Sequence, residues 1–222
     1  MPLTQVKNID GTTVLGIWHI RETRDELKAI LGTHVSDASQ NGGDAKTPIH
    51  WYASRVLLQN LFDAGRIHIH KNIYNKPLLE IDGQKYFVSI THSHDYAGII
   101  VSEKLEVGID IEQIDPRVTR IMHKFMNEGE MHFAGRSGQC TEQTLIWSAK
   151  ECLYKLYGNK ELDFKGHLFI EPFIADIRGS FLGRIEKDPF KTRLRVYYEI
   201  FDAYVLSYCT HSLHLHSSHQ PR

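Results

Sequence analysis

The feature that most constrains this chain is a succession of elements that occurs twice. Thr12 to Ile20 is β-branched and apolar and reads as a strand. Thr23-Arg24-Asp25-Glu26 has the form of a capping box, and Gly32 is placed to end the helix it opens. Residues 33–46 are polar and glycine-bearing and read as a loop. Thr47 can cap a second helix, with Pro48 in its first turn and Gly65 as its stop. Ile49, Ala53, Val56, Leu57 and Leu61 form its apolar stripe. Residues 86–91 and 97–102 then read as a hairpin. The second half follows the same order. Val107 to Ile114 reads as a strand, Asp115-Pro116 opens a helix to about Phe125, and 127–140 is looser. A strong helix runs from about Glu142 to Tyr157 and stops at Gly158. Strands within 167–175, 180–186, 193–200 and 203–209 follow.

The halves also match weakly in letters. Leu15-Gly16-Ile17 aligns with Val107-Gly108-Ile109 at an offset of 92, and Ala53 to Leu58 aligns with Ser148 to Leu153 at an offset of 95. Helices alternate with antiparallel hairpins, so the class is α+β. The expected architecture is a duplicated strand–helix–helix–hairpin unit. It comprises an N-terminal subdomain over 1–105, a C-terminal subdomain over 106–210, and a polar histidine-rich tail over 211–222.

Composition removes several classes of function. The formal net charge is −1 over 222 residues, so no global basic field invites nucleic acid. No run approaches the roughly 18 apolar residues that span a bilayer, and the first residues lack the apolar stretch of a secretory signal. Cys140, Cys152 and Cys209 are few, odd in number and without a C-x-x-C pair. That usage fits a reducing cytoplasm rather than a disulfide framework.

Four segments can carry chemistry. In Gly108-Ile109-Asp110-Ile111-Glu112, alternation puts Gly108, Asp110 and Glu112 on one face of a strand. Two carboxylates there can converge on one hard cation, with Gly108 leaving room for a ligand. The plain alternative is a solvated acidic face. In the segment Trp147 to Lys155, Leu145, Ala149, Cys152, Leu153 and Leu156 form the core stripe. Trp147, Glu151 and Lys155 lie on the far side. Glu151 and Lys155 suit a surface ion pair, yet a tryptophan on that face implies that something covers it. Within Ser89 to Asp95, His92 ends a strand and forms an H-x-H pair with His94 that suits a transition metal or simple exposure. Asn75-Lys76-Pro77 sets a lysine before a rigid proline, a weak phosphate motif.

Together, in this order and spacing, these segments resemble the 4′-phosphopantetheinyl transferases, and in particular their larger pseudo-dimeric class. That family carries a G-[IV]-D-[IVL]-E strand and, about 35–45 residues on, a W-[ST]-x-K-E-[AS]-x-x-K helix. Here they read VGIDIE at 107–112 and WSAKECLYK at 147–155. An earlier [SN]-[IV]-[ST]-H-[ST] strand end is present as Ser89 to Ser93, a G-K-P turn as Asn75 to Pro77, and a helix arginine as Arg55. Asn75, Thr91 and Cys152 depart from the usual glycine, serine, and alanine or serine.

The resemblance implies a transferase; the repeat, which already makes its interface within one chain, implies a monomer, and the cysteine usage a cytoplasmic one. It would pass 4′-phosphopantetheine from coenzyme A to a serine of an apo acyl or peptidyl carrier protein, releasing 3′,5′-ADP. It further implies Mg²⁺ on Asp110, Glu112 and Glu151, with Glu151 and Lys155 catalytic. Coenzyme A contacts would come from Arg55, Lys76, Thr91, His92, Lys150 and Lys155. At positions matching the three carboxylates the first half has Trp18, Ile20 and Val56, which cannot bind a hard cation. One site is therefore expected, at the seam between halves. Two rivals are a non-catalytic module that binds coenzyme A or carrier proteins, and a transition-metal protein using His92, His94 and the tail.

Overall fold

Two sheets, each carrying a helix, make up the computed structural model, which describes residues 3–32, 35–37, 47–62, 66–134, 140–159 and 161–212. In the first half, strands β1 (Leu3–Asn8) and β2 (Thr13–His19) precede helix α1 (Arg24–Leu31). β3 (Val35–Asp37), α2 (Ile49–Leu61), β4 (Ile67–Lys71) and β5 (Pro77–Ile81) follow. A hairpin of β6 (Gln84–Ser93) and β7 (Tyr96–Ser102) ends the half. The second half opens with β8 (Glu106–Gln113), α3 (Arg117–Phe125), α4 (Glu128–Ala134) and α5 (Cys140–Tyr157). It closes with β9 (Leu168–Ile170), β10 (Arg178–Lys187), β11 (Phe190–Phe201) and β12 (Tyr204–His211).

The local chemistry accounts for most of these boundaries. Thr23 caps α1 through a complete capping box, with its side chain accepting from the Glu26 N–H and the Glu26 carboxylate accepting in return. At the other end the Gly32 N–H closes onto the Lys28 carbonyl. Gly158 ends α5 at a φ of +70°, where a side chain is disfavoured. The expected cap of α2 is displaced: Pro48, not Thr47, holds the N-cap position, and no side chain caps that end. The stretch 127–140 is not loose throughout, since α4 occupies Glu128–Ala134. The expected stop Gly65 and nearly all of the histidine-rich tail lie outside the described residues.

The first sheet has the order β1-β2-β7-β6-β5-β4-β3 and the second β8-β12-β11-β10-β9. Apart from the parallel β3–β4 pair, all pairings are antiparallel. With the edge strands β1 and β3 set aside, the first strand of each half pairs with its last, and the strands then read backwards: β2-β7-β6-β5-β4 beside β8-β12-β11-β10-β9. Helix α2 packs on the first sheet through Ala53, Val56, Leu57 and Leu58. Helix α5 packs on the second through Leu145, Ala149, Leu153 and Leu156. A third cluster joins the sheets, with Leu15, Ile17 and Ile100 from one half meeting Val107, Ile109 and Ile111 from the other. Tyr96 donates to Asp202 across the same seam at 2.7 Å, and Lys7 pairs with Glu199.

Two glycines hold helix to strand. A Cβ on Gly16 would lie 2.9 Å from a Leu57 methyl and 3.0 Å from Leu61. A Cβ on Gly108 would lie 2.2 Å from the Cys152 carbonyl oxygen and 3.1 Å from Leu156. The space beside Gly108, expected to admit a ligand, is therefore taken by the backbone of α5.

Candidate active site

The alternation of β8 sends Ile109 and Ile111 into the seam and turns Asp110 and Glu112 toward α5. Asp110 is buried, and its Oδ1 accepts from Lys155 Nζ at 2.7 Å and from Thr91 Oγ1 at 3.2 Å. Its Oδ2 has no partner among the described residues. Burial pushes the Asp110 carboxyl above the usual range, and the Lys155 ammonium only partly offsets this. Glu112 is pushed up to about 7, first by burial and then by Asp110. Its Oε1 accepts from the indole N–H of Trp147 at 2.9 Å. Glu151 is raised for the same two reasons. Burial works to lower the Lys155 ammonium, but Asp110 and Glu151 more than compensate and hold it above the ordinary lysine value.

The face of α5 that carries Trp147 is covered, as its position implied. Trp147 stacks on Phe164 with ring centroids 5.3 Å apart and meets Phe125 edge-on at 5.0 Å. The cover comes from the chain itself. The ring is thereby fixed, and with it the N–H that holds Glu112.

The side chains expected at phosphates divide. Ser89 and Thr91 take the place of a strand ladder between β6 and β8, since their hydroxyls accept from the N–H groups of Ile109 and Ile111 at 3.2 and 3.1 Å. Thr91 therefore braces Asp110 and Lys155 rather than standing open. The Lys76 ammonium pairs with Glu106 and donates to the Leu156 carbonyl at 2.8 Å. Arg55, expected off the core, is only 7% exposed, with its guanidinium 4.8 Å above Trp51 and bonded to Ser54. His92 keeps an exposed edge at the end of β6. Partial burial, the His50 ring and the charges of Lys155 and Arg55 hold its imidazole below the usual value.

Lys150 does not belong with the phosphate contacts. It is 0% exposed, and its ammonium donates to the carbonyls of Phe125 (2.6 Å) and Phe164 (2.8 Å) and to Glu130 Oε2 (2.7 Å). An ammonium has three protons, and all three are engaged. Glu130 in turn accepts from the N–H groups of Ile170 and Asn127. This buried pair ties α4, α5 and β9 together. It was hidden in the sequence, where nothing links Glu130 to Lys150.

A cleft of about 290 Å³ opens beside Lys155, lined by Asn75, Lys76 and Ser89 from the first half and Tyr154, Lys155 and Gly158 from the second. Among the described residues, no three His, Cys, Asp or Glu side chains are drawn together closely enough to hold a metal ion. The donor set is nevertheless that of a hard cation: three carboxylates that all feel one another, with one buried oxygen, Asp110 Oδ2, unsatisfied. His92 and His94 form no metal cluster of that kind with other described residues.

Residues 106–209 match the family model of the 4′-phosphopantetheinyl transferase superfamily. Over that stretch, just under half of its length, the chain is similar to this superfamily. That stretch runs from β8 to β12 and contains Asp110, Glu112, Glu151 and Lys155. The matched stretch thus contains all three carboxylates, while Thr91 bonds to Asp110 and Lys155 from outside the matched residues, where His92 and Arg55 also lie. No curated protein matches the chain. No helix among the described residues is long and apolar enough to cross a membrane.

Proposed function

We propose that the chain transfers 4′-phosphopantetheine from coenzyme A to a serine of an apo acyl or peptidyl carrier protein, releasing 3′,5′-ADP. One observation carries this reading. A buried Asp110 with an unsatisfied oxygen lies among Glu112, Glu151 and Lys155 within the residues that match the superfamily model. Asp110, Glu112 and Glu151 would hold Mg²⁺, which when bound neutralises charge on the coenzyme A phosphates.

The chain's own side chains account for the rest. The serine oxygen bonds to the β-phosphorus of the coenzyme A pyrophosphate as the bridging P–O bond breaks, and 3′,5′-ADP leaves with the electron pair. Glu151 accepts the serine proton. A carboxylate raised by burial and by a like charge is a stronger base than an exposed one. Lys155, one helical turn on, meets the charge that develops on the departing phosphate. Thr91 holds Lys155 against Asp110. Arg55 and His92 serve the nucleotide side, and Lys76 borders the cleft.

We further read the chain as a duplicated unit, with subdomains at 1–105 and 106–210 related by a pseudo-two-fold and working as a monomer. The shared strand order supports this, as does the equivalence of Gly16 on Leu57 and Leu61 with Gly108 on Cys152 and Leu156. Those contacts keep the offsets of 92 and 95 seen in the letters. The first half lacks the three carboxylates, so one site serves the chain.

A transfer assay with coenzyme A, an apo carrier protein and either Mg²⁺ or EDTA tests the proposal. Activity should require Mg²⁺, and Asp110→Ala, Glu112→Ala and Glu151→Ala should each lose most of it with near-native far-UV circular dichroism. Full activity in two of the three variants would remove the shared cation site.

A further inference from the structure

The imidazole of His50 has no part in the chemistry above. It stands in the first turn of α2 and stacks on His92, with ring centroids 4.5 Å apart and planes 19° from parallel. Its Nε2 lies 2.6 Å from the carbonyl oxygen of His94. A carbonyl can only accept, so Nε2 carries a proton and donates it there. His94 sits in the turn between β6 and β7 at a φ of +46°, which presents its carbonyl to α2. His50 is thus pinned from one side and faces His92 on the other. His92 is different: the hydrogen bond that acts on its ring comes from its own backbone, and the residue is open to solvent. The positive side chains Arg55 and Lys155 lie close enough to act on the same ring.

We propose that His50 is a positioning residue, clamping the His92 imidazole so that its open edge meets a phosphate of coenzyme A. The inference rests on the transferase reading. Its physical content is preorganisation. A histidine at a strand end otherwise rotates about two side-chain bonds, and that freedom is lost when a ligand binds. The stack removes the freedom beforehand. The donor of His50 is already spent on His94, so His50 acts through His92 rather than by its own contact with the phosphate.

That distinction makes the proposal testable by a double-mutant cycle. Coenzyme A binding is titrated calorimetrically on the full chain for wild type, His50→Ala, His92→Ala and the double variant. His50→Ala should weaken binding roughly 3- to 10-fold, the scale of one aromatic contact, and should raise the coenzyme A KM more than it lowers kcat. In the His92→Ala background the same change should cost less than about twofold, because nothing remains to position. His50→Phe keeps the ring face and guards against a folding defect; it should fall between wild type and His50→Ala. Unchanged affinity in His50→Ala, additive losses in the double variant, or a loss in His50→Phe as large as in His50→Ala would overturn the assignment. A wild-type chain that binds no coenzyme A would overturn the transferase reading, and this inference with it. Binding by the wild type combined with additive losses would overturn this inference alone.

Discussion

Replacing Lys150 by methionine separates a structural role from a role at phosphate. The lysine is fully buried, and its ammonium makes three hydrogen bonds of 2.6 to 2.8 Å. Methionine fills a similar volume but leaves two carbonyls unpaired and strands the Glu130 carboxylate, which is itself buried. Removing one partner of a buried ion pair costs about 3–5 kcal/mol. Marginal stability leaves such a variant partly unfolded at elevated temperature. Urea denaturation followed by circular dichroism reads the loss. Adding Glu130→Gln should restore part of it, since the lone buried charge then disappears. The folded fraction of Lys150→Met should bind coenzyme A as tightly as wild type. A loss below about 1 kcal/mol together with a weakened affinity for coenzyme A would refute the reasoning, for it would return Lys150 to the phosphates.

Three further outcomes follow from the geometry. Gly108→Ala presses a methyl into the Cys152 carbonyl oxygen, where the neighbour is backbone, whereas Gly16→Ala meets only the ends of Leu57 and Leu61. Overpacking costs about 1–3 kcal/mol, and thermal melts should put Gly108→Ala at or beyond the upper end and Gly16→Ala near the lower. Glu112 carries a native pKa of about 7 against an ordinary 4.5, so between those values the native state binds a proton that the unfolded state has released. Wild type should then lose stability relative to Glu112→Gln as pH rises from about 4.5 to about 7 in EDTA, with the difference constant above; a difference flat across that window would contradict the burial of this carboxylate. The seam between halves already joins two similar sheets, so sedimentation at micromolar concentration should give a monomer of 25.6 kDa, and an obligate trimer would contradict it.

Elements set by local rules were legible in the sequence. The capping box fixed the start of α1, the 3.6-residue stripe marked α5, and alternation put Asp110 and Glu112 on one face of β8. Strands β1, β4 and β5 were not foreseen, and β3 falls inside the stretch 33–46 that reads as a loop. IHIHK in β4 mixes apolar residues with histidines over five positions, too short and too polar to stand out. The site was legible as residue types, not as partnerships. A helical wheel puts Arg55 off the apolar stripe of α2, yet that side of the helix is buried in the folded chain. Lys150 reads as one more charge in WSAKE until α4, 20 residues earlier, brings Glu130 beneath it. Ser89 and Thr91 look like generic hydroxyls, and only the approach of β6 to β8 gives them backbone N–H groups to accept from. Burial of charge depends on what packs over a face, and one-dimensional periodicity carries no record of that.

The central claim concerns group transfer at Asp110, Glu112 and Glu151. Its most direct test is the intact mass of apo carrier proteins after incubation with the chain, coenzyme A and Mg²⁺, using acyl, polyketide and peptidyl carriers in parallel. At least one carrier should gain the mass of a single phosphopantetheine on its serine, with one 3′,5′-ADP released per carrier, and Asp110→Ala should abolish the gain. Tight binding of coenzyme A with no mass change on any carrier would contradict the account and leave a binding module in its place.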